Sequence, residues 1–421
     1  MLETIYRSKN AINEIDRSPY SPFIRQLAAD YLRDGFKPEN INPAFTLILR
    51  FIRWAAHSRR NPRDLRSKHV RAFLEEIQIP GKTGPRTRDI RCLERLAALI
   101  EEKYGHKLIE KPIPPHLRNP AVVRAIADFE AYMRDARGLT PTSIVRFKTT
   151  AAQFLAFRFP RGPVRPMKVE AKDILDFLQE RGRKFFKDRT LQCDGNALRC
   201  YLRYLYGNRL VRRDLSYAVP KIACWRNQNV VHTVTEEEMA KILRSCNLDE
   251  PAGVRDYAVL LLLMRYGLRP IEVGRLQLED IRWDEKKIHI RGKGPKNAIL
   301  PLEPDVAKAL DRYIHAARPR STEAVVFLRA HAPFTAPRPS SVVSHIVHRA
   351  ILRAKLNPKT FGARLIRYSV ASRILNSGGN LMEVAELLRH ASIDTTARYM
   401  RLDLRRLGLV ALPWPETGDS R

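Results

Sequence analysis

VRDYAVLLLLMRYGLRPIEVGRLQLEDIRWDEKKIHIRGKGPKNAILPL, residues 254–302, decides the fold class because its period changes part-way along. From about Val254 to Tyr266 the run reads as one helix. Gly267 is placed to close that helix in the left-handed conformation, and Pro270 then opens the next helix at its first position, where a missing N–H costs nothing. Leu268 and Arg269 are left in the turn, with stiff neighbours on both sides. After Asp280 the period becomes two: Ile288 and Ile290 alternate with Lys287, His289 and Arg291, and Ala298, Leu300 and Leu302 alternate with Ile299 and Pro301. GKGPK between them is a hairpin loop. The expectation is a mainly α protein whose C-terminal domain carries one small antiparallel β-sheet.

Moving outward, Thr235 followed by Glu238 is a capping box ahead of Met239, Ile242 and Leu243. Helices return from about Pro304, including Leu365–Asn376, which Gly378 and Gly379 stop, then Leu381–Leu388 and a last one from about Asp394. Upstream, the Pro-bearing breaks IEKPIPPHLRNP (109–120) and AVPKIACWRNQNVVHTVT (218–235) separate two further blocks. Both read as helical, as in Leu47, Phe51, Trp54 and Ala55. They also resemble each other: LAADYLRDGFKPENI (27–41) matches DFEAYMRDARGLTPTSI (128–144), DLRSKHVRAFLEE (64–76) matches KVEAKDILDFLQE (168–180), and KYGHKLI (103–109) matches LYGNRLV (205–211). An offset near 100 residues in all three pairs fits a duplicated unit; chance similarity between amphipathic helices is the alternative. The expected domains are 1–110, 120–217 and 232–410, with a tail at 411–421.

Charge narrows the partner. Lys and Arg outnumber Asp and Glu by 76 to 45 in 421 residues, a net charge of +31 that exceeds what solubility requires and points to a polyanion. In the helical blocks Arg50, Arg53, Arg59 and Arg60, then Arg146, Lys148, Lys184, Lys187 and Arg189, lie between apolar positions. They are candidates for a phosphate-facing surface, as against an ordinary solvated face. Five cysteines, Cys92, Cys193, Cys200, Cys224 and Cys246, have no paired short spacing, so neither a zinc site nor a disulfide framework is indicated. The longest apolar run, Ala258–Met264, is too short for a bilayer. A cytoplasmic, nucleoid-associated protein with no membrane partner is expected.

Four segments carry the chemistry: RYGLRPIE (265–272), RGKGPK (291–296), RLIRYS (364–369) and LLRHASIDTTARYM (387–400). They offer arginines, a lysine and a histidine able to clamp an anionic centre, and a tyrosine hydroxyl able to attack it. That is phosphoryl transfer without a metal or other cofactor. Each residue taken singly has a plainer reading: Arg269 and Glu272 as a helix-start ion pair, Lys293 and Lys296 as hairpin-tip lysines, Arg364, Arg367 and Arg398 as a solvated face, His390 as a helix cap, Tyr399 as a packed aromatic.

In this order and context the residues resemble the tyrosine recombinase, or phage-type integrase, family over about residues 120–403. The match places Arg269 at the first-box arginine, Lys293 on the hairpin loop, Arg367 at the second-box arginine, His390 after the leucine pair, and Tyr399 as the nucleophile. The resemblance implies that Arg269 and Arg367 clamp the non-bridging oxygens of a phosphodiester with bidentate donors. His390 adds a donor, Tyr399 forms a covalent phosphotyrosyl link, and Lys293 protonates the departing 5′ oxygen. It implies a core-binding helical domain at 120–217 that clamps double-stranded DNA with the catalytic domain. Residues 1–110 would be a second such domain or an arm-site-type module. A DNA-dependent tetramer of a mobile-element recombinase follows, with companion recombinases or DNA-bending proteins as further partners.

Two positions depart from the family pattern. Arg364 stands where a histidine is usual, and a guanidinium cannot accept or relay the tyrosine proton. Arg389 stands where glycine often precedes the histidine and is expected, like Lys296, to add a phosphate contact. Tyr368 is a competing tyrosine, read as a packing residue. The alternatives are a type IB topoisomerase-like enzyme and an accessory recombinase disabled at Arg364 that binds DNA without cutting it.

Overall fold

The computed structural model describes residues 2–6, 8–77, 87–109, 113–184, 188–221, 232–292, 297–337 and 339–389. Contacts divide the chain into two units, residues 110–228 and residues 1–109 together with 229–421. Within the second of these the two stretches keep separate hydrophobic cores.

The N-terminal stretch opens with α1 (Leu2–Ile5) and α2 (Lys9–Arg17) and continues with α3 (Ser21–Arg33), α4 (Pro38–His57), a 3₁₀ turn at Pro62–Asp64, α5 (Ser67–Glu76) and α6 (Thr87–Tyr104). Helix α4 supplies the centre of this core: Phe45, Ile48, Phe51 and Ala55, spaced three and four apart, are almost wholly buried. The 110–228 unit has α7 (Pro120–Asp135), α8 (Pro141–Arg158), a 3₁₀ turn at Pro166–Lys168, α9 (Ala171–Lys184) and α10 (Asp188–Gly207). Phe129, Phe154, Phe177, Tyr201 and Leu202 close its core.

The remaining stretch starts at α11 (Glu236–Arg244). Thr235 caps it as the sequence predicts, with Oγ1 accepting from the Glu238 N–H at 3.2 Å and the Glu238 carboxylate accepting from the Thr235 N–H at 2.9 Å. Helix α12 (Pro251–Tyr266) is buried on nearly every side, which is why its sequence shows no polar stripe. It packs against α14 (Pro304–Arg312), α15 (Pro339–Arg353) and α16 (Ala363–Asn376). Leucines such as Leu260 and Leu262, at 0% exposure, each contribute roughly 1.5–3 kcal/mol by leaving water.

Between α12 and α14 lie α13 (Pro270–Gly274) and the antiparallel sheet β1 (Ile281–Arg282), β2 (Lys287–Arg291), β3 (Asn297–Pro301), in that order. Ile288 pairs with Leu300 and Ile290 with Ala298. The alternation expected of β2 is observed, with Ile288 and Ile290 buried. Strand β3 is an edge strand whose Ile299 is 61% exposed, so its period marks register more than core. Pro301 is tolerated at that edge because its absent N–H interrupts no inner ladder. The chain ends, as described, with α17 (Leu381–Leu387). The architecture is mainly α with one small antiparallel sheet, as the sequence predicts. Among the described residues no helix is long and apolar enough to cross a membrane.

Candidate active site

Helix α12 ends at Gly267 with φ 56 and ψ 31, the left-handed geometry expected of it. A Cβ there would lie 2.7 Å from Leu388 Cδ2, so glycine is required both by conformation and by the approach of the 387–389 segment. Leu268 is wholly buried and anchors the turn. Arg269 follows as N-cap of α13, extended at φ −75 and ψ 147 as a residue before proline must be. Close packing then fixes α13 on α15: a Cβ at Gly274 would stand 2.5 Å from the Pro339 carbonyl oxygen.

Glu272 organises this corner. Its Oε2 accepts from the Arg269 N–H and its Oε1 from Arg269 Nη1, both at 2.8 Å, while Arg389 Nη2 donates to Oε2 at 3.0 Å. The carboxylate side chain is 1% exposed. Burial alone would raise its pKa, but the hydrogen bonds from the Arg269 main chain and guanidinium, with the charges of Arg389 and Arg269, outweigh it and hold the carboxyl below its usual range. For Arg389 the balance goes the other way: burial outweighs Glu272 and pulls the guanidinium below the ordinary arginine value. The geometry of a paired, hydrogen-bonded buried charge decides between these opposing directions, and the pair is ionic.

Arg367 sits in α16 at 6% exposure, with Nη1 donating to the Gly267 carbonyl and Nη2 to the Leu388 carbonyl. Arg269 Nη2 reaches the Arg389 carbonyl at 3.4 Å. The first-box turn, the second-box helix and the segment just before His390 are thus tied together by guanidinium groups. Two guanidiniums, those of Arg269 and Arg389, meet the Glu272 carboxylate, Arg367 is held on the neighbouring main chain, and the Arg269 side chain is 34% exposed.

The remaining sequence-predicted residues separate into three sets. Arg364, one turn before Arg367, is exposed and has no side-chain partner among the described residues. Tyr368 packs, half-buried, on Ala371, Leu375, Val384 and Leu388, the role expected of it. Arg389 turns inward: its side chain is 17% exposed, Nη1 donates to the Leu387 carbonyl at 3.1 Å, and both terminal nitrogens are occupied. Its φ of 52 lies in the left-handed region that favours glycine. Arg146 is exposed on α8, whereas Lys148 holds Glu130 at 2.7 Å. Lys187, Lys293, Lys296, His390 and Tyr399 fall outside the described residues, as does the side chain of Arg189.

Two comparisons bear on the family, one over the C-terminal part of the chain and one over nearly all of it. Residues 232–406 match the model of the phage integrase family. The "Putative integrase/recombinase y4rA" of Sinorhizobium fredii is 32% identical over 410 residues, covering 96% of this chain and 98% of that protein. The chain belongs to the phage integrase family. "Tyrosine recombinase XerD" of Listeria monocytogenes is 27% identical over 291 residues, 67% of this chain and 95% of its own. The fold of this integrase is similar to that of a lambda integrase (75–356) dimer bound to a COC′ core site, at TM-score 0.51 and 14% identity, covering 71% of this chain and 99% of that one.

Glu272 is the site residue that sequence reasoning treated only as a helix-start partner. Its signal was its place at N3 after Arg269-Pro270, the position from which a carboxylate reaches back to the N-cap. Nothing in sequence pairs it with Arg389.

Proposed function

We propose that this integrase cuts and rejoins double-stranded DNA at specific sites, with Tyr399 as nucleophile. The phenol releases its proton to water as its oxygen attacks the scissile phosphorus, the bond from phosphorus to the 5′ oxygen breaks as a 3′-phosphotyrosyl link forms, and the 5′ oxygen leaves as a hydroxyl protonated by Lys293. The reverse attack by a 5′ hydroxyl of another duplex reseals the strand, so bond energy is stored and no nucleotide is consumed. Arg269 and Arg367 supply fixed donors to the non-bridging oxygens, where negative charge grows, and His390 adds a third. Arg364 contributes charge alone. The observation that supports this reading best is the convergence of Arg269 and Arg367 on one corner: Arg269 is held by the buried Glu272 carboxylate, and Arg367 by the Gly267 carbonyl two residues before Arg269.

The reading extends to assembly: a helical domain at 120–217 and the catalytic domain each bind DNA, and copies of the chain associate on DNA, as the lambda integrase dimer does on its core site. A tetramer on two sites is the exchange-competent form, serving a mobile element.

The test is a suicide substrate, a nicked duplex carrying the end sequence of the encoding element. Wild type is expected to give a DNA-linked protein band and Tyr399→Phe none. Adduct in both would move the nucleophile, Tyr368 being the first suspect. No adduct in either, with site-specific binding retained, would favour an accessory role.

A further inference from the structure

The two helical blocks share side-chain architecture as well as helix order. From α3 and from α7 onward, each runs helix, helix, 3₁₀ turn, helix, helix. In the first, Phe51 meets Phe73 edge-on at 5.2 Å and 74°, and Trp54 meets Phe73 at 5.7 Å and 55°. In the second, Phe154 meets Phe177 at 5.4 Å and 73°, and Phe157 meets Phe177 at 5.8 Å and 57°. These two triads stand 103, 103 and 104 positions apart in sequence. Tyr20, N-cap of α3, donates to the Arg60 carbonyl at 3.0 Å, and Asn119, N-cap of α7, donates to the Phe159 carbonyl at 3.0 Å, each across 40 residues. The third helix of each block is capped alike: the Arg66 N–H donates to His69 Nδ1 at 3.1 Å and the Glu170 N–H to Asp173 Oδ2 at 2.9 Å. Chance similarity between amphipathic helices does not reproduce ring angles and cap-to-corner hydrogen bonds together.

One feature common to both blocks serves no core. The corner around each 3₁₀ turn is basic and exposed. Residues 59–71 hold Arg59, Arg60, Arg63, Arg66, Lys68 and Arg71 against the single acid Asp64; residues 161–172 hold Arg161, Arg165, Lys168 and Lys172 against Glu170, while Arg158 pairs with Asp173. Arg59, Arg60, Arg63 and Lys68 are exposed and have no acidic partner among the described residues. The imidazole of His69 is pushed below its ordinary value, first by burial and then by Arg60, Lys68 and Arg66, a sign of how densely positive charge is packed there.

We infer that residues 1–109 are a second copy of the helical DNA-gripping module, and that the basic corner of that copy binds the phosphate backbone of duplex DNA. The inference rests on the DNA-acting reading above. Like charges held this close repel one another, and a row of phosphates relieves that repulsion while releasing condensed counterions. Arginine suits the task because its planar fork meets phosphate oxygens in pairs.

Binding of a labelled random-sequence duplex to the full-length protein tests it, because the phosphate term is independent of sequence. Four exposed side chains are neutralised together as Arg59→Gln, Arg60→Gln, Arg63→Gln and Lys68→Gln. Affinity at 0.1 M salt is expected to fall at least tenfold, and the slope of log affinity against log salt to shrink by about 3.6, roughly 0.9 for each of the four lost contacts. As a control, Arg25→Gln with Arg33→Gln removes exposed arginines that pair with Asp16 and Asp30. That control should leave the slope unchanged. An unaltered slope in the quadruple variant, or an equal drop in the control, overturns the inference. Tyr399→Phe keeps the full salt slope whether or not the covalent step is as proposed, so the two readings fail separately.

Discussion

Glu272 and Arg389 meet across 117 residues of sequence at 3.0 Å, with the Glu272 side chain 1% and the Arg389 side chain 17% exposed. Because Arg269 holds the other carboxylate oxygen, one buried anion positions both Arg269 and the segment leading to His390. Breaking such a pair is costly because it strands a buried charge. Glu272→Gln should therefore destabilise the protein by about 3–5 kcal/mol, measured by urea unfolding, and lower adduct formation per folded molecule. If Glu272 merely caps α13, a loss nearer 1 kcal/mol with adduct formation intact is expected instead.

The same carboxylate gives a pH signature. Its folded-state pKa lies below the ordinary 4.5, so its contribution is complete above that value and is lost as pH falls through the depressed folded value. The stability difference between wild type and Glu272→Gln should be constant from neutral pH down to about 4.5, the ordinary carboxylate value, and shrink below it. A difference that grows on acidification would reverse the assigned sign.

Much of this architecture is legible in sequence because it follows from local rules. Gly267, Pro270, Thr235 with Glu238, and the alternation of Ile288 and Ile290 each announce their geometry through backbone chemistry or periodicity. What escapes is set by tertiary approach: that Arg367 spends two donors on the carbonyls of Gly267 and Leu388, and that Arg389 turns toward Glu272, depend on three distant segments meeting. A charged residue in a basic chain carries no mark of which side it faces. Arg364 and Arg367, one turn apart, show this, the first exposed and the second buried.

Gly267 and Leu388 form a steric couple. Gly267→Ala adds a Cβ 2.7 Å from Leu388 Cδ2 at a φ of 56, so it should cost more than the roughly 1 kcal/mol of left-handed strain alone. Leu388→Ala leaves a cavity worth about 2–5 kcal/mol. Because each change gives room to the other, the double variant should be less destabilised than the sum, by about 1 kcal/mol in a thermal-unfolding cycle. Strict additivity would show that the two segments do not touch in solution.

Arg367→Lys separates charge from geometry. The ammonium keeps the positive charge but cannot span two carbonyls and still offer a fork to phosphate. Adduct formation on the suicide substrate should fall by about 10²–10³, the usual cost of one lost transition-state donor, while random-sequence DNA binding changes little. Near-wild-type cleavage would remove Arg367 from the clamp.

Arg364→His tests how the phenol of Tyr399 loses its proton. A guanidinium at position 364 can only stabilise charge, whereas an imidazole titrating near its ordinary value of about 6.5 accepts a proton when neutral. The rate ratio of Arg364→His to wild type should rise with pH between about 5.5 and 7.5, to tenfold or more at the upper end, and adduct yield should depend on Tyr399 throughout. A ratio flat in pH would place Arg364 outside the path of that proton and assign it to phosphate charge alone.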